Sequence, residues 1–508
     1  PATVGLGGAV METLSLLFSG FQVAVTPTNL LFALIGALIG TMIGVLPGLG
    51  PVATMAILLP VTYGMTPEAA IIMLASIYCG AMYGGSTTSI LVNLPGESAS
   101  VITCIDGYKM AKNGRAGVAL GIAAIGSFIG ATIALVGLTF FAPVVSRYAV
   151  KVGPPEYTAL MLLGIMLVCF VGSESALKSV VSATLGLLLA CIGADLITGV
   201  PRLTFGSMYL TGGLEFSSVA MGIFGLGEIL HSFEEKEETT LVTEKITKIW
   251  PSFKDFNRVK FTILRGSFFG FVIGILPGCN AAVSSLISYT VEKKLSKHPE
   301  EFGNGAIEGV AGPETANNAT SISALIPMLT LGIPPTATMA MLFGALMIHG
   351  VTPGPFMITE HPTVFWGLIA SLYIGNVMLI ILNLPMVSLF IKLLKVRFSI
   401  LAPIVIIITM IGVYSISNNT FQMWIVLFFG VAGYLIRKYR FPAAPIVLAL
   451  ILGPRFESSF RQALVMSNGR FGIFIERPLA LGVLIIVVII AISPLLRKIV
   501  TVNRARKS

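Results

Sequence analysis

The chain has 508 residues, 55% of them hydrophobic and 11% charged, with a mean hydropathy of +0.92 and a formal net charge of +9. Soluble proteins carry about 25% charged residues, so the composition excludes a soluble protein and leaves the polytopic membrane class. The basic residues sit between apolar segments and at the tail, as in cytoplasmic loops, so the expected partner is the lipid bilayer and not nucleic acid.

Residues 1–27 read as an N-terminal apolar or interfacial segment that either crosses the membrane or lies along it. No basic region precedes its first apolar stretch, so no cleavable signal peptide is expected. A first transmembrane repeat spans 28–231. Its GVLPG block (44–48) suits the tip of a re-entrant hairpin, with Pro47, Gly48 and Gly50 at the turn. Tyr83–Ser100 then gathers Ser86, Thr87, Thr88, Ser89 and Asn93 among Gly84, Gly85, Pro95 and Gly96. Proline removes a backbone donor and glycine permits unusual dihedrals, so this segment reads as a broken helix. In hydrocarbon, freed backbone groups are tolerated only against protein or a watery cavity.

Lys109, Lys112 and Arg115 follow and are placed inside the cell, whereas Arg147 and Lys151 fall outside, against the charge rule. Residues 232–260 form a charged cytoplasmic linker. The second repeat, 261–508, opens with GILPG (274–278), whose hairpin tip is Pro277, Gly278 and Asn280. About sixteen apolar residues precede Pro277 and about a dozen follow, each too few to span comfortably. Basic residues flank both ends, which favours a hairpin over one long kinked helix. Glu314–Thr338 is the second broken segment, with Asn317, Asn318, Thr320, Ser321, Gly332 and Pro334.

The blocks recur in order: GVLPG and GILPG, TSI at 88–90 and 320–322, LPGESAS at 94–100 and IPPTAT at 333–338. The second half gains about seven residues between the last two blocks, roughly two helical turns. Equivalent loops carry opposite charge bias, which predicts inverted halves. The expected fold is all-α and polytopic. It has two inverted-topology repeats, each with a re-entrant hairpin and a broken helix, and about 11–12 crossings. Lys392, Lys395, Arg397 and the tail Arg497–Lys507 then lie inside, with a cytoplasmic C-terminus.

Paired breaks in two inverted halves are the best sequence pointer to a transport site. Helix N-termini there suit an anion, and hydroxyls and amides can donate to carboxylates. Neither broken segment contains Lys or Arg, so dipoles and a co-bound cation would neutralise the substrate. Glu97 and Glu314 are each a cation or proton site or merely a helix cap. The scattered cysteines and histidines lack metal-ligand spacing, no Walker A pattern occurs, and no nucleophile–base pair marks an enzyme. No cofactor is expected beyond a coupling cation. Trp250, Trp366 and Trp424 read as interfacial anchors. A passive channel and, further off, a membrane-embedded enzyme are the alternatives.

The motifs GVLPGLGP (44–51), YGGSTTSILVNLPGESASVIT (83–103), DGYKMAKNGRAG (106–117), PETANNA (313–319), LGIPPTAT (331–338) and GALMIHGVTPGP (344–355) resemble the large membrane subunit of the tripartite tricarboxylate transporter family. The resemblance covers nearly the whole chain. It implies a bacterial inner-membrane, sodium- or proton-coupled importer of small carboxylates such as citrate. A small membrane subunit and a periplasmic solute-binding protein are its implied partners. It assigns substrate and ion binding to Ser86, Thr87, Thr88, Ser89, Asn93 and Gly96, with Asn317, Asn318, Thr320, Ser321, Gly332 and Pro334. A sodium ion is expected near Thr88 and Thr320. GCNAA after the second tip and Pro335 depart from the family pattern.

Overall fold

The computed structural model describes residues 6–46, 50–170, 175–195, 197–234, 249–276, 278, 280–386 and 398–505. The predicted tip residues Pro47, Gly48 and Pro277 and the basic trio Lys392, Lys395 and Arg397 lie outside these residues, as does 235–248 of the predicted linker. The described chain is almost wholly helical, as an all-α polytopic membrane protein requires. Among the described residues, six helices are long and apolar enough to cross a membrane, and several apolar helices of 10–17 residues accompany them.

The first half begins with α1 (Leu6–Ala24), α2 (Pro27–Gly44) and α3 (Pro51–Leu58), the last two flanking the first LPG block. Next comes α4 (Pro67–Leu91), started by Pro67 and by Thr66, whose hydroxyl accepts from the Ala69 amide. After the break come α5 (Val101–Met110), α6 (Ala116–Ala149), α7 (Pro154–Phe170) and α8 (Ala176–Ala190). A two-residue hairpin pairs β1 (Gly193–Ala194) with β2 (Pro201–Arg202), and α9 (Phe216–Glu234) leads to the linker.

The second half begins with α10 (Phe253–Ile275), α11 (Ala281–Leu295), α12 (Glu308–Ser323) and α13 (Leu325–Leu331). Beyond its break lie α14 (Ala337–Ile348), α15 (Pro362–Asn383), α16 (Phe398–Ser417), α17 (Thr420–Lys438), α18 (Ala444–Met466) and α19 (Pro478–Ala505). The helices α10 and α11 fold back on each other as a hairpin. Arg265 of α10 grips Glu292 of α11 through Nε and Nη2 at 2.7 and 2.6 Å.

Both halves use the same close packing. Gly36, Gly40 and Gly44 of α2 lie on the backbone of α4 at Met73, Ile77 and Ala81. Gly266, Gly270 and Gly274 of α10 lie likewise on α12 at Gly312, Ala316 and Thr320. A Cβ at any of these glycines would collide with the neighbouring helix, so the small residues set the approach distance. This ladder makes Thr320 the counterpart of Ala81, not of Thr88. The TSI blocks are therefore out of register by about two turns. The extra residues of the second half sit before α12, in α11 and the 296–307 loop, and not after it. The breaks do correspond: Pro95 follows α4 as Pro334 follows α13.

The core is built around α4, whose apolar stretch is 94% buried, and continues through α6, α12, α14 and α15. Trp366 belongs to this core, which corrects its reading as an interfacial anchor. It is 1% exposed and packs edge-on against Phe365. The reason is that α1 lies against α15, with Gly20 directly on the Trp366 backbone, so this face never meets the membrane surface. Trp250 and Trp424 are exposed, 69% and 68%.

A candidate substrate cavity where four helices begin

A cavity of about 370 Å³ opens between the hairpin tips and the two breaks. Its wall includes Gly50 and Asn280 from the tips, Glu97 and Ser98 from the first break, and Pro335 and Thr336 from the second. Between them these residues mark the starts of four helical segments. Gly50 precedes α3, with Pro51 in the first turn. Asn280 caps α11, its side-chain oxygen accepting from the Val283 amide at 3.1 Å. Thr336 caps α14 by accepting from Met339 at 3.2 Å. Glu97 caps the short turn into α5, accepting from the Ala99 amide at 3.1 Å while Ser100 closes a reciprocal box. Unpaired N–H groups and the positive dipole end at each start favour negative charge. No Lys or Arg lines this cavity among the described residues. Tyr78, Met82 and Leu448 supply apolar wall. The arrangement can hold a small anion by backbone and dipoles.

Glu97 links the cavity to a buried polar seam. Its Oε1 accepts from Asn317 Nδ2 at 2.9 Å, and Asn317 Oδ1 is buried without a donor. One turn earlier on α12, the fully buried Glu314 accepts from Ser86 at 2.5 Å and from Thr103. Helices from both halves thus meet on two carboxylates.

The remaining predicted site residues divide by environment. Thr88 and Ser89 donate to the Gly85 carbonyl, both at 3.0 Å, inside α4 and before its break. Thr87 is buried beside Ser86 in a far smaller void. Asn93 adopts a left-handed φ of 61° at the break, and Gly96 packs between Gly44 and Gly85. Asn318 donates to Ser127 at 2.7 Å, and Ser321 to the Asn317 carbonyl at 3.0 Å. Thr320 donates to Gly270 O at 3.0 Å and to Ser284 Oγ at 2.7 Å. Gly332 ends α13 with a φ of 70°, and Pro334 is buried behind it. Gly278, also left-handed, lies at the cavity wall against Leu167 and Val168.

Of the predicted set, the cavity therefore gathers the tip residues Gly50, Gly278 and Asn280, and none of the residues predicted to bind substrate or ion is part of its lining. No group of three or more potential metal-binding His, Cys, Asp or Glu residues occurs among the described residues. Thr336 and Ser98 were absent from the sequence reading. For Thr336 the signal was there: a hydroxyl residue one position before the post-proline helix.

A protein described as an uncharacterized 52.8 kDa protein in the TAR-I ttuC' 3'region of Agrobacterium vitis is 44% identical over 491 residues, covering 96% of this chain and 98% of the relative. Another from the same organism, described as an uncharacterized protein in the TAR-II ttuC' 3'region, is 46% identical over 231 residues, 45% of this chain and 96% of the relative. No solved structure matches the chain. The profile of the tripartite tricarboxylate transporter TctA family matches residues 30–448, and the chain belongs to that family.

Proposed function

We propose that the chain is the translocating subunit of a cation-coupled importer of small di- and tricarboxylates. It would work in a bacterial inner membrane with a small membrane subunit and a periplasmic solute-binding protein, its C-terminus in the cytoplasm. The observation that carries this reading is the convergence of four helix starts on one cavity without a basic side chain. Backbone N–H groups and dipoles would hold the carboxylates there. The substrate's remaining charge calls for a co-transported cation. Glu97, on the cavity wall, and the unpaired Oδ1 of the Asn317 that bonds it are the groups proposed to meet it. Whether that cation is sodium or a proton is set by the experiment below.

The repeated glycine ladder supports an internal repeat. The antiparallel crossing of α4 and α12 supports its inversion: Ser86 meets Glu314, and Ser76 shares a void with Ile322. An elevator-like movement of the hairpins is the matching mechanism of alternating access, with Ser86–Ser89 and Asn317–Ser321 positioning the seam.

Proteoliposomes holding all three subunits and labelled citrate or succinate test the function. Accumulation that collapses with an imposed sodium or proton gradient is expected. Non-concentrative flux independent of both would point to a passive channel instead. Asn280→Cys and Thr336→Cys should react with a small hydrophilic thiol reagent more slowly when citrate is present. Unprotected labelling at both would remove the cavity from the substrate path.

A further inference from the structure

A second cavity, of about 450 Å³, lies end to end with the first along the same two helices. Ala337 and Thr338 of α14 and Ala444 and Leu448 of α18 line the substrate cavity. Phe343 and Met347 of α14 and Ile451 and Arg455 of α18, further along each helix, line the second. On the topology proposed above, this one faces the periplasm.

Its charges divide unevenly. Arg202 and Arg461 share Glu457 and Asp195 in a closed network, with Arg202 bonding Glu457 at 2.8 and 3.1 Å and Arg461 bonding Asp195 at 2.6 Å. Glu215 is engaged by the Ser217 hydroxyl at 2.7 Å. Arg455 has no carboxylate partner among the described residues. Its guanidinium lies 4.8 Å from the centre of the Phe343 ring, donates to the Pro353 carbonyl at 3.2 Å and rests 3.6 Å from Met347 Sδ. A guanidinium has five donors, so most of its capacity is unspent. Arg202, on the same wall, keeps a buried Nε without an acceptor. Arg455 also abuts Gly332, where a Cβ would strike Nη1, so it sits directly against the second break.

We infer that this cavity is a second anion site, in which Arg455 takes a carboxylate of a small organic acid before it reaches the substrate cavity. The inference rests on the carboxylate reading above. Arginine suits the task because its planar fork matches a carboxylate with two parallel hydrogen bonds. The aromatic face of Phe343 holds the fork flat without neutralising it. Glu215, also on the cavity wall, repels the anion and sets an upper limit on its affinity, which favours release onward over retention.

Equilibrium binding of labelled citrate to the purified chain in detergent tests the site. Arg455→Gln should weaken binding about ten-fold or more, Arg455→Lys should weaken it less, and Glu215→Gln should tighten it several-fold. Wild-type affinity in an Arg455→Gln protein with a wild-type melting curve overturns the site. Should that variant misfold, wild-type affinity in Arg455→Lys together with no tightening in Glu215→Gln overturns it equally. If citrate binds in an Arg455-dependent way but is never carried across proteoliposomes, the transport reading falls and this site stands. If neither citrate nor succinate binds the wild type, both fall.

Discussion

Asn317 Nδ2 donates to Glu97 Oε1 at 2.9 Å, joining a helix of the second half to the broken segment of the first at the rim of the substrate cavity. Glu97→Gln keeps the shape and removes the ability to carry or exchange a positive charge. The proposal expects binding of citrate to survive and gradient-driven accumulation to fall at least ten-fold. Accumulation ratios in proteoliposomes measure this. An unchanged ratio would move the coupling site elsewhere, with Glu314 the next position to alter.

The hydroxyl blocks make a contrasting prediction. Thr336 lines the cavity, whereas the Thr88 hydroxyl is spent on the Gly85 carbonyl behind it. Thr336→Val should raise the KM for citrate uptake. Thr88→Val should leave KM in place and lower the melting temperature, by a hydrogen bond of about 1 kcal/mol. The reverse pattern would return the substrate site to the helix interior.

Glu292 is 3% exposed and depends on Arg265 and Thr262 for its charge. Removing Arg265 leaves that carboxylate buried and uncompensated, so Arg265→Met should cost about 3–5 kcal/mol. The double variant with Glu292→Met should recover most of the loss. Thermal melts of the two variants decide between a pair that holds the hairpin shut and one that merely fits it.

Asp106 holds a loop by its backbone amides. Its Oδ1 accepts from the amides of Gly303, Gly305 and Ala306 at 2.8–2.9 Å, and Tyr289 donates to Oδ2 at 2.9 Å. Gly303 and Gly305 have φ of 90° and 110°, which lets the backbone wrap the carboxylate. Asp106→Asn should cost about 1.5–3 kcal/mol and expose 303–306 to protease well before the helices unfold. Equal protease resistance in the variant would count against this anchoring role.

Asp195 offers a pH test. Amides of Thr198 and Ile197 and the Arg461 guanidinium hold its carboxyl well below the usual carboxylate range. A depressed pKa contributes stability above the unfolded value, near 3.9, and loses it as pH falls toward the folded one. The wild type should therefore melt above Asp195→Asn by a constant margin from neutral pH to about pH 4, with the margin shrinking below. A margin that narrows already between pH 7 and 5 would contradict the assignment.

The membrane class and the positions of both breaks were legible because they depend on local composition and on Gly and Pro geometry. The equivalence of the TSI blocks was not. Three identical letters looked like a register mark, but the glycine ladder that sets the register is spread over two helices, and its partners, Ala81 and Thr320, share no side-chain chemistry. Trp366 was misplaced for a similar reason: only tertiary packing reveals that α1 covers it. The hydroxyl blocks drew attention as rare polar clusters, yet a helix can absorb such groups on its own carbonyls, as Thr88 and Ser89 do. The cavity itself belongs to residues with little sequence signature, since backbone amides leave no letter in the alphabet. Arg455 stood in plain sight, but its lack of a partner is a three-dimensional fact.

Helices laid backbone to backbone, as α2 on α4 and α10 on α12, are meshed like gear teeth. Neither can slide along the other without rising over a row of carbonyls. Each ladder thus couples its two helices as a single blade, and the helical run is interrupted beyond it at 92–97 and 332–336. A bulkier residue anywhere in either ladder would pry such a blade apart, far from the cavity it edges.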